Sequence, residues 1–165
     1  MSNVFYRFRS AHNKNVYRIQ PLEEYDTLDF LHEKTPLIQH NLFTITEGTK
    51  AFEILPFNDS SNFAISKRMK ELLEQNDIKG WSSFPIIING LEDEYFAFQN
   101  LSKAGPITNL DAVNDFETDN HEFDVNTWDG SDVFHLENTG MNVCTEKVKN
   151  ILEKAKISNL EILPL

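Results

Sequence analysis

Ten carboxylates lie between Ala104 and Glu146, and no lysine or arginine interrupts them: Asp111, Asp115, Glu117, Asp119, Glu122, Asp124, Asp129, Asp132, Glu137 and Glu146. Charges this close in sequence feel one another, because screening at physiological salt extends over about 8 Å. Gathered on one face, they would draw in a basic surface and speed its association. Left apart, they would make a solvated acidic loop. A third chemistry is calcium binding, since Asp129-Gly130-Ser131-Asp132 offers oxygen ligands beside a glycine turn. That segment lacks the acids at loop positions 1, 3 and 5, the glycine at 6 and the glutamate at 12 of an EF-hand, so no metal site is assigned.

Catalytic groups are sparse. The five histidines, His12, His32, His40, His121 and His135, have neither the HExxH spacing nor a cysteine partner that a zinc site uses. His121 and His135 fall inside the acidic stretch, where a His–Asp pair could relay a proton, but no nucleophile elbow, P-loop or GxGxxG accompanies them. Cys144 is the only cysteine, which rules out an internal disulfide and a CxxC site, and it reads as a small buried apolar residue. The sequence therefore points away from an enzyme and implies no cofactor.

The chain's 165 residues carry a formal charge of −11. Such a balance opposes direct binding to nucleic acid or to an anionic membrane and favours a basic protein partner. The cluster Lys67-Arg68-Lys70 reads as the solvated side of a helix. No apolar run reaches the roughly 18–20 residues of a membrane span. The start, Met1-Ser2-Asn3-Val4-Phe5-Tyr6-Arg7, lacks the order of a signal peptide. A soluble cytoplasmic protein is expected.

An internal echo organises the elements that must position these residues. Residues 53–86 align without a gap on residues 132–165, an offset of 79, with identities at Lys70/Lys149, Leu73/Leu152, Glu74/Glu153, Ile78/Ile157 and Pro85/Pro164. Ser66 and Thr145 are matched helix N-caps. Met69, Leu72 and Leu73 match the helical spacing of Val148, Ile151 and Leu152. Gly80 and Asn159 follow, and both tolerate a left-handed turn. Each copy reads as strand, turn, short strand, helix of about three turns, strand, arising either by duplication or by chance recurrence. The fold class expected is α+β, a single domain over residues 1–165, mainly antiparallel, with two similar strand-turn-strand-helix-strand units.

The remaining segments read mostly as strand and loop. Val4–Arg9 and Val16–Gln20 predict a hairpin around His12-Asn13-Lys14-Asn15. Leu22, Tyr25, Leu28 and Leu31 suggest a short helix. Phe43–Thr46 and Lys50–Phe57 flank a turn at Glu47-Gly48. Ile86–Ile88 and Tyr95–Phe98 predict a hairpin about Asn89-Gly90. Residues 101–121 look irregular, with one helical turn around Leu110–Phe116. Phe123–Trp128 and Val133–Leu136 predict a further hairpin, turning at Asp129-Gly130. Trp128 at its edge is either an interface anchor or core.

Several of these segments together carry a resemblance. Phe63-Ala64-Ile65-Ser66-Lys67-Arg68-Met69-Lys70-Glu71-Leu72-Leu73, Glu94–Leu101, Asn109–Val113, Trp128–Phe134, Val143–Lys149 and Leu163-Pro164-Leu165 are similar to bacterial polymorphic-toxin immunity proteins, of the families called immunity protein eleven and immunity protein forty-three. The resemblance covers about residues 50–165 and rests on structural rather than catalytic motifs. It implies a protein that binds and neutralises a cognate toxin domain, with no catalysis of its own. From the charge map, an acidic face would cover a basic, nuclease-like groove. The residues expected on that face are Asp119, Glu122, Asp124, Trp128, Asp129 and Asp132. The alternatives are an acidic regulatory module with a non-toxin partner, or a small metal-dependent hydrolase using the acidic cluster.

Overall fold

The structure is a computed structural model that describes residues 4–31, 41–109, 121–137 and 139–165. Its elements, in order, are β1 (Phe5–Ser10), β2 (Arg18–Pro21), α1 (Thr27–Leu31), β3 (Leu42–Glu47), β4 (Ile54–Pro56), β5 (Phe63–Ser66), α2 (Lys67–Gln75), β6 (Trp81–Ile88), β7 (Tyr95–Asn100), β8 (Lys103–Ala104), β9 (Val133–Leu136), β10 (Asn142–Thr145), α3 (Glu146–Ala155) and β11 (Leu160–Pro164). One sheet runs β2-β3-β6-β7-β5-β4 and the other β11-β1-β10-β9-β8. Pairing is antiparallel except between β3 and β6 and between β8 and β9. This is the α+β class read from the sequence.

The echo at offset 79 is a structural equivalence. In the first copy Ala64 pairs with Leu55, and in the second Val143 pairs with Phe134, each residue 79 positions from its counterpart. Helices α2 and α3 begin directly after Ser66 and Thr145, although only the Ser66 hydroxyl accepts a cap bond, from the Met69 N–H at 3.1 Å. After the helices, Asp77 and Lys156 both turn left-handed, with φ of +53° and +54°. Gly80 and Asn159 do so again before β6 and β11. The identical lysines perform one task twice. Lys70 lies 5.0 Å over the Phe96 ring and pairs with Glu74; Lys149 lies 5.1 Å over the Tyr6 ring and pairs with Glu153.

Those rings reveal an exchange that the alignment does not contain. In the first unit the strand between β5 and β6 is β7, which follows the unit in sequence; in the second unit the strand between β10 and β11 is β1, which precedes both units. Ala97 opposes Ala64 as Arg7 opposes Val143, and Asn100 opposes Trp81 as Ser10 opposes Leu160. Strands β1 and β7 are thus equivalents at an offset of 90, and their aromatics match: Phe5 with Tyr95, Tyr6 with Phe96, Phe8 with Phe98. The likeness extends to β2 and β8. Ile19 bridges Phe57 in parallel, as Ala104 does Leu136 at the matching place.

Three clusters fill the interior. The central one joins the two units through matched residues, Ile54 with Val133, Met69 with Val148, Leu73 with Leu152, Ile78 with Ile157 and Phe98 with Phe8. Alternation along the strands sends the neighbouring side chains to the opposite face. In the first unit that face holds Phe43, Leu55, Phe57, Phe84, Ile86, Tyr95 and Ala97. There β2, β3 and α1 cover it, and the Ile19–Phe57 bridge brings the two outer strands of the sheet together. In the second unit the equivalent face holds Phe5, Phe134, Leu136 and Val143.

Several local expectations are corrected. Strands β1 and β2 do not form a hairpin; β1 lies between β10 and β11, while β2 pairs with β3. The helix around Tyr25 is confined to Thr27–Leu31, with Asp26 accepting the Asp29 N–H. Strand β3 pairs with β2 and β6 rather than turning back onto β4. The β6–β7 hairpin is present. The helical turn expected around Leu110–Phe116 lies outside the described residues.

Candidate functional site

The second unit's apolar face is covered by the acidic stretch itself. Residues after β8 cross it, with Ile107 bridging Phe123 and the Thr108 N–H donating to Glu122 O. A short 3-10 turn, Val125–Thr127, follows, and Asp124 caps it by accepting the Asn126 N–H at 3.0 Å. The Thr127 hydroxyl then accepts the Gly105 N–H at 2.7 Å, tying this cover to the end of β8. No strand forms over Phe123–Trp128, so the hairpin expected there is absent among the described residues, although Gly130 does turn at φ +88°. The reason is packing. Phe123 and Trp128 both point down onto Phe5 and Phe134, with ring centroids 5.0–5.8 Å apart, a clustering that strict strand alternation would not give.

The six expected face residues therefore divide. Glu122, Asp124 and Asp129 are exposed and make no ion pair among the described residues. Asp119 lies outside the described residues. Trp128 is half-buried and serves the cover: its indole N–H donates to Ser131 O at 3.0 Å and its ring meets Phe5 edge-on at 5.0 Å. Each such aromatic contact adds about 0.5–1.5 kcal/mol beyond area burial. Asp132 is turned inward. It accepts the Lys79 N–H at 2.9 Å and lies 3.7 Å from Lys147. A carboxylate held by internal donors is not presented to a partner, so Asp132 belongs to the scaffold.

Two cavities flank the cover. The first, about 580 Å³, is lined by Val4, Phe5, Thr108, His121, Glu122, Phe123, Asp124, Val125, Pro164 and Leu165. Val4 and Val125 are 51% and 43% exposed there, an apolar patch beside two carboxylates. The second, about 630 Å³, brings Asp129 and Glu137 together with Asp26 and Asp29 from the start of α1, and with Lys103 and the buried His135. Burial works against ionisation of Asp129, but hydrogen bonds from Ser131 and Ser102 outweigh it and hold the carboxyl below the usual carboxylate range. Asp26 and Asp29 are site residues that the charge map did not offer, because they sit some hundred residues away in sequence.

The chemistry of the other reactive groups is restrained. No group of three or more His, Cys, Asp or Glu side chains is gathered to hold a metal ion among the described residues. Cys144 stands where the first unit has Ile65, and burial pushes its thiol up to about 12, with Lys149 pulling the other way. Lys67, Arg68 and Lys70 are paired with Glu94, Glu53 and Glu74. No helix among the described residues is long and apolar enough to cross a membrane. No family model matches the chain, and no curated protein matches it.

Proposed function

We propose that this protein works by binding another protein, and that the partner is a cognate toxin domain whose basic groove is covered by the acidic face. The observation that carries this reading is the groove between β1, β11 and the 3-10 turn. There the exposed side chains of Val4 and Val125 lie against Phe123, Pro164 and Leu165, with Glu122 and Asp124 beside them. An apolar floor with charge at its margin matches the anatomy of a protein interface: the floor supplies affinity, and the rim sets rate and orientation. A net charge of −11 supports a cationic partner. The sequence resemblance to bacterial immunity proteins supports the toxin as that partner, and a pair of that kind would meet in the producing cell's cytoplasm.

The test is co-expression with the product of the adjacent gene and co-purification at about 0.1 M and about 0.5 M salt. A stable heterodimer is expected, whose association rate falls with salt while its dissociation rate changes little. Failure to form any complex rejects the toxin reading. A complex whose association ignores salt rejects the electrostatic face and leaves only the apolar groove.

A further inference from the structure

Strand β11 ends the second sheet, and β1 is its only strand neighbour among the described residues. The hydrogen-bonding phase of that ladder is fixed at both ends. The Ala11 N–H donates to Asn159 O at 2.9 Å, and the Leu165 N–H donates to Phe5 O at 3.2 Å. Alternation then turns the backbone groups of Glu161 and Leu163 toward β1 and those of Leu160, Ile162 and Pro164 outward. The outward N–H groups of Leu160 and Ile162 meet no acceptor among the described residues. Pro164, which has no N–H, stands where that loss costs the ladder nothing.

The first unit shows what such a row can do. There the Leu101 N–H donates to Gly80 O at 2.9 Å, which sets Trp81, Ser83 and Pro85 outward on β6. The proline shared by the two units therefore marks one edge position. Further along the same row, the Ile87 N–H donates to Asn41 O at 2.7 Å and the Asn89 N–H to Phe43 O at 3.0 Å, where β3 joins the sheet. On β11 no strand among the described residues takes that place. Beside its open row lies a notch of about 420 Å³, lined by Leu152, Glu153, Lys156 and Ile157 together with Leu160 and Ile162. Lys156 is exposed and makes no ion pair among the described residues. Glu153 is paired with Lys149 and Glu161 with Arg9, so this edge is not itself acidic.

We infer that the outward row of β11 pairs with the same row of a second copy of this chain, antiparallel about a two-fold axis at Ile162. Each Ile162 N–H then meets the other copy's Ile162 O, each Leu160 N–H meets Pro164 O, and Glu161 lies opposite Leu163. No donor is wasted. Moving the axis to Glu161 would set two carboxylates directly opposite, which like charges resist. Moving it to Leu160 or Leu163 would leave outward donors unmet. The same axis brings the two notches together and offers each Lys156 the Glu153 of the other copy. Repulsion between two chains of charge −11 is screened beyond about 8 Å at physiological salt. Main-chain bonds along so short a row make a transient dimer rather than an obligate one. The pairing does not rest on the toxin proposed above.

The experiment is sedimentation of the full chain from micromolar to millimolar concentration, with amide exchange followed by NMR over the same series. A monomer–dimer equilibrium is expected. The Leu160 and Ile162 amides should slow about tenfold or more at the high end, while those of Glu161 and Leu163, already bonded to β1, change little. Ile162→Pro removes an outward N–H and no bond to β1, as Pro164 already does, and should abolish the dimer. Lys156→Glu, at an exposed side chain, should weaken it several-fold. If Ile162→Pro does not fold, exchange in the unaltered chain still decides. A monomer at every concentration with unchanged exchange overturns the inference. So does a dimer whose outward amides stay fast, or one that survives Ile162→Pro. Protection that appears only when the adjacent gene's product is added assigns the edge to a strand of that protein and overturns the second copy as its occupant.

Discussion

Glu53 and Asp132 hold equivalent places in the two units, and each reaches across to the other unit for its hydrogen bond. Glu53 Oε2 accepts the Ser158 N–H at 3.2 Å, and Asp132 Oδ2 accepts the Lys79 N–H at 2.9 Å; Ser158 and Lys79 are themselves equivalents. Each carboxylate also faces a cation at the second residue of its own unit's helix, Arg68 at 2.8 Å and Lys147 at 3.7 Å. The pair is a reciprocal clasp, with the shorter cross-unit hydrogen bond at Asp132 and the closer ion pair at Glu53.

Breaking that clasp should show in stability and in its pH dependence. The Arg68 guanidinium, with help from Ser158 and Ser66 and against the effect of burial, holds the Glu53 carboxyl below its ordinary value. A folded-state pKa that is lowered contributes stability fully present above the unfolded value and lost as pH falls through the folded one. Glu53→Gln should therefore lose about 1–3 kcal/mol at neutral pH, as for hydrogen bonds to a charged group. The gap to wild type should close as the buffer is taken below the ordinary glutamate range. Urea melts of both proteins at several pH values measure it.

Gly80 should tolerate no side chain. Its φ is +100°, and a Cβ there would stand 1.9 Å from Val133 O, a backbone atom that cannot swing aside. Gly80→Ala should cost on the order of 3 kcal/mol, combining strain with displacement of β9. Thermal unfolding reads it directly, and Gly90→Ala, where nothing lies within 4 Å, serves as the comparison for positive φ alone.

Partner association should separate the exposed acids from the inward one. Asp124→Asn keeps the cap on the 3-10 turn but removes a charge, and combined with Glu122→Gln it should slow association several-fold at low salt. Asp132→Asn should leave the association rate unchanged while lowering the unfolding midpoint. Stopped-flow mixing with the purified partner distinguishes these outcomes, and an Asp132 effect on rate equal to that of the pair would contradict the assignment.

Cys144 should be inert in the native state. Fully buried and with its thiol pushed up to about 12, it presents almost no thiolate near neutral pH. Ellman's reagent at pH 8 should react only after denaturant is added, and fast labelling of the native protein would show that the second unit opens readily.

How far the sequence reached depends on which contacts are local. The helices and the strands flanking them were readable over 53–86 and 132–165, because Ser66, Thr145, Gly80 and Asn159 act within a few residues of their own positions. The hairpin predicted at His12–Asn15 failed because adjacency in sequence suggested a partner that topology did not supply: Tyr6 lies between Cys144 and Pro164. The likeness of β1 to β7 stayed hidden because the offset changes from 79 to 90, and the pattern Phe5, Tyr6, Phe8 is one that many strands share. At the site, exposure of Glu122, Asp124 and Asp129 followed from charge density together with the turn read at Asp129-Gly130. Asp26 and Asp29 arrive through tertiary packing.

The exchange of central strands has a consequence for how the chain is made. Strand β1 leaves the ribosome well before β10 and β11, the two strands it must lie between, so the second sheet stays open until both of them have been made. The first sheet draws its six strands from the contiguous stretch 18–100 and is complete once β7 is made. The second sheet is not contiguous in this way, and pairings this distant in sequence make for slow assembly. Until β11 arrives, the aromatic edge of β1 is open to the wrong neighbour, which makes a prematurely ended chain a candidate for aggregation.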